Sequence, residues 1–194
     1  VDRAEAFQSR IPATGLFAEK AWRISPIPFP LSKAEGKQLN RLGPLLHRFQ
    51  QTCDLMYRRS AKGSLPHWIA EYLNQGKPES LLKLGSSSPL LEKTPSVLRP
   101  DLILPEDGLR ATELDSVPGG IGLTAWLVET YSEIAPEAEI LGGKNGMREG
   151  FHSLYGDEGA DILVSEESAD YRPEMEWLSE RLSVSWSVAA AETY

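Results

Sequence analysis

Residues Val97 to Leu123 have the sequence VLRPDLILPEDGLRATELDSVPGGIGL, which combines two predicted β-strands, a glycine-rich loop and the start of a helix. The first strand is predicted over residues 97–104 and the second over residues 109–116. Glu106-Asp107-Gly108 is predicted to form the turn between them. The last residue of a three-residue hairpin turn has a left-handed backbone conformation, which glycine adopts without steric cost. This β-hairpin fixes which charged side chains share a face.

The hairpin register predicts a concentration of charge on one face. If Pro105 faces Leu109 across the turn, then Asp101 faces Glu113 on the paired strands. Side chains on a strand alternate between faces, and directly opposed Cβ atoms lie about 5 Å apart. Carboxylates at that distance repel one another unless a cation joins them, and Mg²⁺ takes oxygen ligands of this kind.

A second cross-strand pair joins this face, because the same register places Arg99 opposite Asp115. The arginine is suited to neutralise a carboxylate, or to bind a phosphate or carboxylate group of a ligand. The alternative interpretation is an ordinary Arg–Asp pair on a solvated face of a sheet.

The glycine-rich loop Val117–Gly122 follows the acidic strand directly and leads into a helix predicted from Leu123. Glycines before a helix N-terminus expose backbone N–H groups that favour anions. The acidic hairpin and the loop together therefore predict a site that handles a metal ion and an anion.

The motif Arg99-x-Asp101, followed after eleven residues by Glu113-x-Asp115 and a small-residue loop, resembles the circularly permuted ATP-grasp ligases. That family includes glutathionylspermidine synthetase and the eukaryotic type of glutathione synthetase. The resemblance implies that Asp101, Glu113 and Asp115 bind Mg²⁺. It also implies that Arg99 contacts the transferred phosphate or the substrate, which makes it the candidate catalytic residue.

The same resemblance extends to the loop and includes one departure. It implies that Ser116, Gly119 and Gly120 lie in the loop that meets the acyl substrate. Asp115 stands where the family usually has asparagine, which adds a negative charge at the predicted metal site. The residues that grip ATP in this family lie later in the chain, so they are expected outside this sequence.

Composition and charge narrow the classes of partner. The 194 residues carry a net charge of −8, which argues against a nucleic-acid backbone or an anionic membrane as partner. Cys53 is the single cysteine, so a disulfide framework is excluded, and its helical, apolar context predicts a buried thiol. The charged N-terminal residues and the lack of a long apolar run predict a cytoplasmic protein.

The predicted fold combines an α+β portion with the start of an α/β portion, and the chain is predicted to have three parts. Residues 1–31, interrupted by prolines, are predicted to form an extended arm. Residues 32–159 are predicted to hold helices and the hairpin of an ATP-grasp-like sheet. Residues 160–194 are predicted to begin an open α/β, pre-ATP-grasp domain that is truncated, so we expect the chain to be the N-terminal piece of a longer protein.

Helices dominate the middle part. Ser32 and Glu35 form a capping-box signature at the start of a long amphipathic helix predicted over residues 33–61. Gly43-Pro44 is expected to kink this helix or divide it in two. Further helices are predicted over residues 66–74, 78–84, 123–135 and 147–155.

The last part predicts a βαβ motif. Ile162–Ser165 is an apolar strand, Pro173 lies in the first turn of the next helix, and Val184–Ala189 is a second strand. Ligands of open α/β sheets bind beyond the carboxyl ends of the strands. Glu166 and Glu167 are therefore candidates to meet a substrate amine, with a solvated loop or helix cap as the alternative.

Together these features predict an ATP- and Mg²⁺-dependent carboxylate–amine ligase. Its expected reaction activates a small-molecule carboxylate as an acyl phosphate and transfers the acyl group to an amine. The alternative is a non-catalytic cation-binding or regulatory module that retains the acidic hairpin.

Overall fold

The computed structural model describes residues 2–15, 23, 25–87, 90, 93–106, 108–116, 119–183 and 185–193. The chain divides into two compact units. The hairpin unit comprises residues 32–117, and the core unit comprises residues 1–31 together with residues 118–194. Residues 118–159, which the sequence prediction groups with the hairpin, thus belong with the two terminal segments. The fold is mixed α+β, with helices and two sheets of two strands each.

Among its described residues, the hairpin unit has four helices followed by an antiparallel hairpin. Its elements are α2 (Lys33–Leu39), α3 (Leu42–Ala61), α4 (Trp68–Asn74), α5 (Glu79–Gly85), β1 (Arg99–Ile103) and β2 (Arg110–Asp115). The core unit begins with α1 (Arg3–Gln8). It continues with α6 (Ile121–Ile134), α7 (Gly146–Tyr155), β3 (Asp161–Val164), a 3-10 helix (Glu166–Tyr171), α8 (Arg172–Leu182), β4 (Ser187–Ala190) and a short 3-10 turn (Ala191–Thr193).

The capping box at the start of α2 is confirmed. The Ser32 hydroxyl accepts a hydrogen bond from the Glu35 N–H at 3.2 Å, and the Glu35 carboxylate accepts one from the Ser32 N–H at 2.6 Å. The predicted long helix is divided in two, and the break at Asn40-Arg41 precedes Gly43-Pro44. Pro44 therefore lies in the first turn of α3, where its missing N–H removes no intrahelical hydrogen bond.

The hairpin keeps the predicted register at its charged end and loses it near the turn. Ile103 pairs with Arg110, so the predicted pairing of Pro105 with Leu109 is wrong by one residue. A bulge between Asp101 and Leu102 absorbs the difference by leaving Thr112 as an extra residue on β2. The Thr112 hydroxyl donates to the Asp101 carbonyl oxygen at 3.1 Å, which satisfies a backbone group at the irregularity.

The core unit is built around aromatic side chains of α1 and α6. Phe7 is buried against Trp126, with ring centroids 5.4 Å apart in an edge-to-face arrangement, and it also contacts the Tyr131 ring. The prediction of an extended arm is therefore wrong for residues 3–8. Asp2 caps α1 by accepting from the Ala4 N–H at 3.0 Å, so this short helix combines a local cap with a buried aromatic anchor.

The predicted βαβ motif is confirmed, with changes at its ends. Strands β3 and β4 pair in parallel, and Leu178 of α8 is almost fully buried. Pro173 lies in the first turn of α8, as the sequence predicts. The second strand begins at Ser187; of the residues predicted before it, Val184 lies outside the described part. A 3-10 helix occupies the segment between β3 and α8.

Helix α3 differs from its prediction in what it buries. Cys53 is exposed, so the expectation of a buried thiol is wrong. Leu45, Phe49 and Met56 of the same helix are also exposed. Within the described ranges, no helix combines the length and apolar character that crossing a bilayer requires.

Candidate functional site

Arg99 lies between two carboxylates at the open end of the hairpin. Its Nε atom is 3.4 Å from Asp101 Oδ1, and its Nη2 atom is 3.4 Å from Asp115 Oδ2. Strand pairing places Arg99 opposite Asp115 and Asp101 opposite Glu113, as predicted. The structure therefore brings the four charged residues to one face of a two-stranded sheet.

Glu113 is the carboxylate of this group that Arg99 does not neutralise. It is exposed, and it forms no hydrogen bond or ion pair with any residue that the structure describes. Its position directly opposite Asp101 puts two like charges side by side, which is unfavourable in the absence of a cation. One arginine and three carboxylates leave a formal charge of −2 on this face.

The hairpin carries carboxylate oxygens, which are suitable ligands for Mg²⁺, but the carboxylates of Asp101 and Asp115 are already ion-paired with Arg99. Carboxylate oxygens are the ligands that hard divalent cations prefer. Among the described residues, however, no three acidic, histidine or cysteine side chains are grouped closely enough to hold a metal ion. A cation would therefore have to displace the Arg99 guanidinium from at least one carboxylate. Ser116 follows β2 directly and is exposed.

The glycines of the glycine-rich loop serve helix packing in the core unit, whereas Val117 and Pro118 lie outside the described residues. A side chain at Gly119 would overlap the Tyr171 ring, and one at Gly122 would overlap the Glu174 backbone carbonyl. Gly120 is the N-cap of α6 and has a positive φ of 78°, a left-handed conformation that glycine adopts most readily. Each glycine thus meets a steric requirement of the junction between α6 and the segment around α8.

Glu174 supplies the anion at the N-terminus of α6. Its Oε1 atom accepts from the Gly120 N–H at 2.6 Å, and its Oε2 atom accepts from the Leu123 N–H at 2.9 Å. Glu174 as a whole is only 6% exposed. The sequence predicts that an anion binds near this loop, and the structure places a carboxylate of the chain itself on two of the N–H groups.

Sequence reasoning missed Glu174, although a signal was available. Glu174 lies four residues before Leu178, so the two share a face of α8, and that face is buried. A carboxylate on a buried helix face needs hydrogen-bond donors, because burying an unpaired charge is costly. Free N–H groups at a helix start are donors of that kind.

Glu166 and Glu167 lie where the βαβ prediction puts them, directly beyond the carboxyl end of β3. Both are exposed, and the Glu166 N–H donates to the Glu192 carboxylate at 2.9 Å. That hydrogen bond lowers the pKa of Glu192. Three carboxylates therefore surround the ends of the parallel strands, and one of them caps the backbone there.

Comparison with known proteins adds no family assignment. No protein-family model, no curated protein and no solved structure matches the chain.

Proposed function

We propose that this chain is part of an ATP- and Mg²⁺-dependent carboxylate–amine ligase of the circularly permuted ATP-grasp type. The single observation that supports the proposal is the hairpin register, in which Arg99 pairs with Asp115 and Asp101 with Glu113. That pairing satisfies the geometric condition that the sequence resemblance requires. The proposed substrates are a small-molecule carboxylate and an amine, and the proposed location is the cytoplasm.

In this proposal the carboxylates of Asp101, Glu113 and Asp115 hold Mg²⁺. The metal ion would offset negative charge on the phosphoryl group during its transfer. Arg99 would be released from one carboxylate when a cation binds, and its guanidinium would then be free to contact the phosphate or the acyl oxygen. Its planar fork of donors matches such oxygens in two places at once.

A second candidate function is a non-catalytic module in which the acidic hairpin is a structural patch or a cation site. The ion pairs of Arg99 with Asp101 and Asp115 favour this candidate, because they already neutralise part of the charge without a metal. An Arg–carboxylate pair of this kind also stabilises a sheet without any ligand.

A metal titration tests the metal assignment at Glu113, the carboxylate that Arg99 does not neutralise. Mn²⁺ replaces Mg²⁺ in the experiment, and its binding is followed by the relaxation of water protons and of the backbone amides. Wild-type protein is expected to bind Mn²⁺, and the backbone amides of β1 and β2 should show the largest paramagnetic increase in relaxation rate. Glu113→Gln should weaken binding on the order of tenfold, which corresponds to one lost charged ligand.

Glu106→Gln is the matched control, because Glu106 is an exposed carboxylate on the same hairpin but outside both strands. Its affinity for Mn²⁺ should equal that of wild type. Relaxation centred elsewhere, or equal affinity in Glu113→Gln, would remove the metal assignment and with it the ligase proposal. If Mn²⁺ binds as expected, a hydroxylamine trap for ATP-dependent acyl phosphate separates the ligase from the module. That assay requires a polypeptide that includes the ATP-gripping segment.

A further inference from the structure

Helix α3 exposes an apolar stripe along one side. Leu45 is 54% exposed, Phe49 is 56% exposed and Met56 is 43% exposed. With Thr52, these residues follow one another at intervals of four, three and four, so they fall within about 60° around the helix axis. The stripe is about 16 Å long at 1.5 Å per residue.

The stripe runs beside the face that holds α3 in the hairpin unit. Ser60 is fully buried and accepts a hydrogen bond from the Ala70 N–H at 3.0 Å, while Tyr57 donates to Asn74 at 2.9 Å. Those contacts fix α3 against α4. The stripe is therefore carried on a helix that is already anchored, and it stays exposed.

Positive charge borders the stripe. Residues 42–62, which comprise α3 and its C-cap, contain four lysine and arginine residues and one acidic residue, which gives a formal charge of +3. The acidic residue, Asp54, pairs with Arg58 at 2.8 Å. Arg48 and Arg59 lie next to the stripe on the helix surface, within about 40° of its edge. Neither side chain forms an ion pair with any of the described residues.

The spacing and the charge identify the kind of partner. A narrow seam with alternating intervals of three and four is the pattern by which one helix packs along another. Arginine residues beside such a seam favour acidic residues at the facing positions of the partner helix. We propose that α3 is a docking surface for an acidic amphipathic helix of a partner protein.

Two other occupants fit less well. A second copy of α3 would carry the same excess of positive charge, and like charges oppose association. A helix that lies on a membrane carries its charges on the face opposite a broad apolar one. On α3, Arg48 and Arg59 instead lie between the stripe and Leu55, which is also exposed. Both occupants remain outcomes of the test.

A pair of designed peptides provides the test. The first peptide has about three heptads with leucine at the seam positions and glutamate at the flanking positions, and the second has lysine in place of glutamate. Binding of each labelled peptide is measured by fluorescence anisotropy near physiological ionic strength. Wild-type protein is expected to prefer the acidic peptide on the order of tenfold or more.

Two variants separate the contributions of charge and apolar area. Arg48→Glu combined with Arg59→Glu should reverse the preference, so that the basic peptide binds more tightly. Phe49→Ser should weaken binding of the acidic peptide on the order of tenfold, because it removes the largest apolar contact of the stripe. Lys77→Glu and Leu84→Ser, on exposed residues elsewhere in the hairpin unit, are the matched controls and should leave the peptide affinities unchanged.

Several outcomes would overturn the docking proposal. They are equal affinity for both peptides, an unchanged preference after the double charge reversal, or binding that the two controls weaken as much as Phe49→Ser does. Self-association in sedimentation experiments that Phe49→Ser abolishes would assign the stripe to a second copy. Binding to vesicles rich in phosphatidylserine, without binding to the acidic peptide, would assign it to a membrane surface.

Discussion

Replacing Glu174 should loosen the start of α6 more than any other single change of a carboxylate on α8. The carboxylate accepts two hydrogen bonds, from the Gly120 N–H at 2.6 Å and the Leu123 N–H at 2.9 Å, in a residue that is largely buried. Loss of a helix cap costs about 1 kcal/mol, and loss of a negative charge at a partly buried helix N-terminus costs up to about 2 kcal/mol. Glu174→Ala should therefore lower the free energy of unfolding of the core unit by about 3 kcal/mol.

Glu174→Gln is the sharper variant, because it keeps the size of the side chain. The amide retains one acceptor oxygen but turns its NH₂ group toward the other N–H, so about 2 kcal/mol should be lost. The expected measurement is a lower urea midpoint together with faster hydrogen exchange at the Gly120 and Leu123 amides. Glu176→Gln, at an exposed position of the same helix, is the control and should change neither. Unchanged exchange at both amides in Glu174→Gln would refute the capping role.

Two further predictions concern the core unit. Gly122→Ala should destabilise it by about 2 kcal/mol or more in urea unfolding, because the added methyl group overlaps the Glu174 carbonyl. Gly150→Ala, in open space on α7, should instead stabilise it by about 0.5–1 kcal/mol, and equal effects of the two substitutions would contradict the packing argument. Lys144 and, to a smaller degree, Arg10 lower the pKa of Glu133 from its usual value near 4.5, so this carboxylate stabilises the fold above that pH and loses its contribution as the pH falls through its lowered pKa. Glu133→Gln should therefore lower stability at neutral pH by less than about 1 kcal/mol, since the side chain is half exposed, and should reduce the loss of stability between neutral and acidic pH. An unaltered pH profile would count against the ion pair.

Local signals were enough to predict the elements whose determinants lie within a few residues. The capping box needs Ser32 and Glu35 alone, and the break between α2 and α3 follows from one proline. The charged pairs of the hairpin were predicted correctly because two irregularities cancel. The pairing of Ile103 with Arg110 is shifted by one residue from the predicted register, and the bulge at Thr112 restores the register at the charged end. Asp107 of the predicted turn lies outside the described residues. Neither shift has a strong sequence signal, since a threonine in a strand is ordinary.

The parts that could not be predicted depend on distant residues. The short helix α1 gains its stability from Phe7 packing on Trp126, more than a hundred residues away, because so short a helix is marginal alone. The glycine-rich loop shows the same limit. Its spacing predicts exposed N–H groups and an anion, but the identity of the anion depends on Glu174, which the loop sequence does not contain.

Apolar periodicity likewise predicts which residues of α3 share a face without indicating what covers that face. Leu45 and Phe49 belong to the apolar periodicity that predicts an amphipathic helix, and they are exposed. The same pattern arises whether the stripe packs inside its own unit or on another helix. The distinguishing feature is the charge of Arg48 and Arg59 beside it, which no ion pair among the described residues neutralises, because arginines are rarely buried without a partner.

The charge balance of the hairpin shows why Asp115 matters in place of the asparagine that the resemblance predicts. With asparagine there, Arg99 would face Asp101 and Glu113 alone, and the face would carry a formal charge of −1. With Asp115 the formal charge of the face is −2, which one divalent cation would neutralise. The same carboxylate also forms an ion pair with Arg99. In the proposed metal site, cation and arginine would therefore compete for Asp115, and a bound metal ion would release Arg99 toward a ligand only if its attraction for the carboxylates exceeded that of both ion pairs.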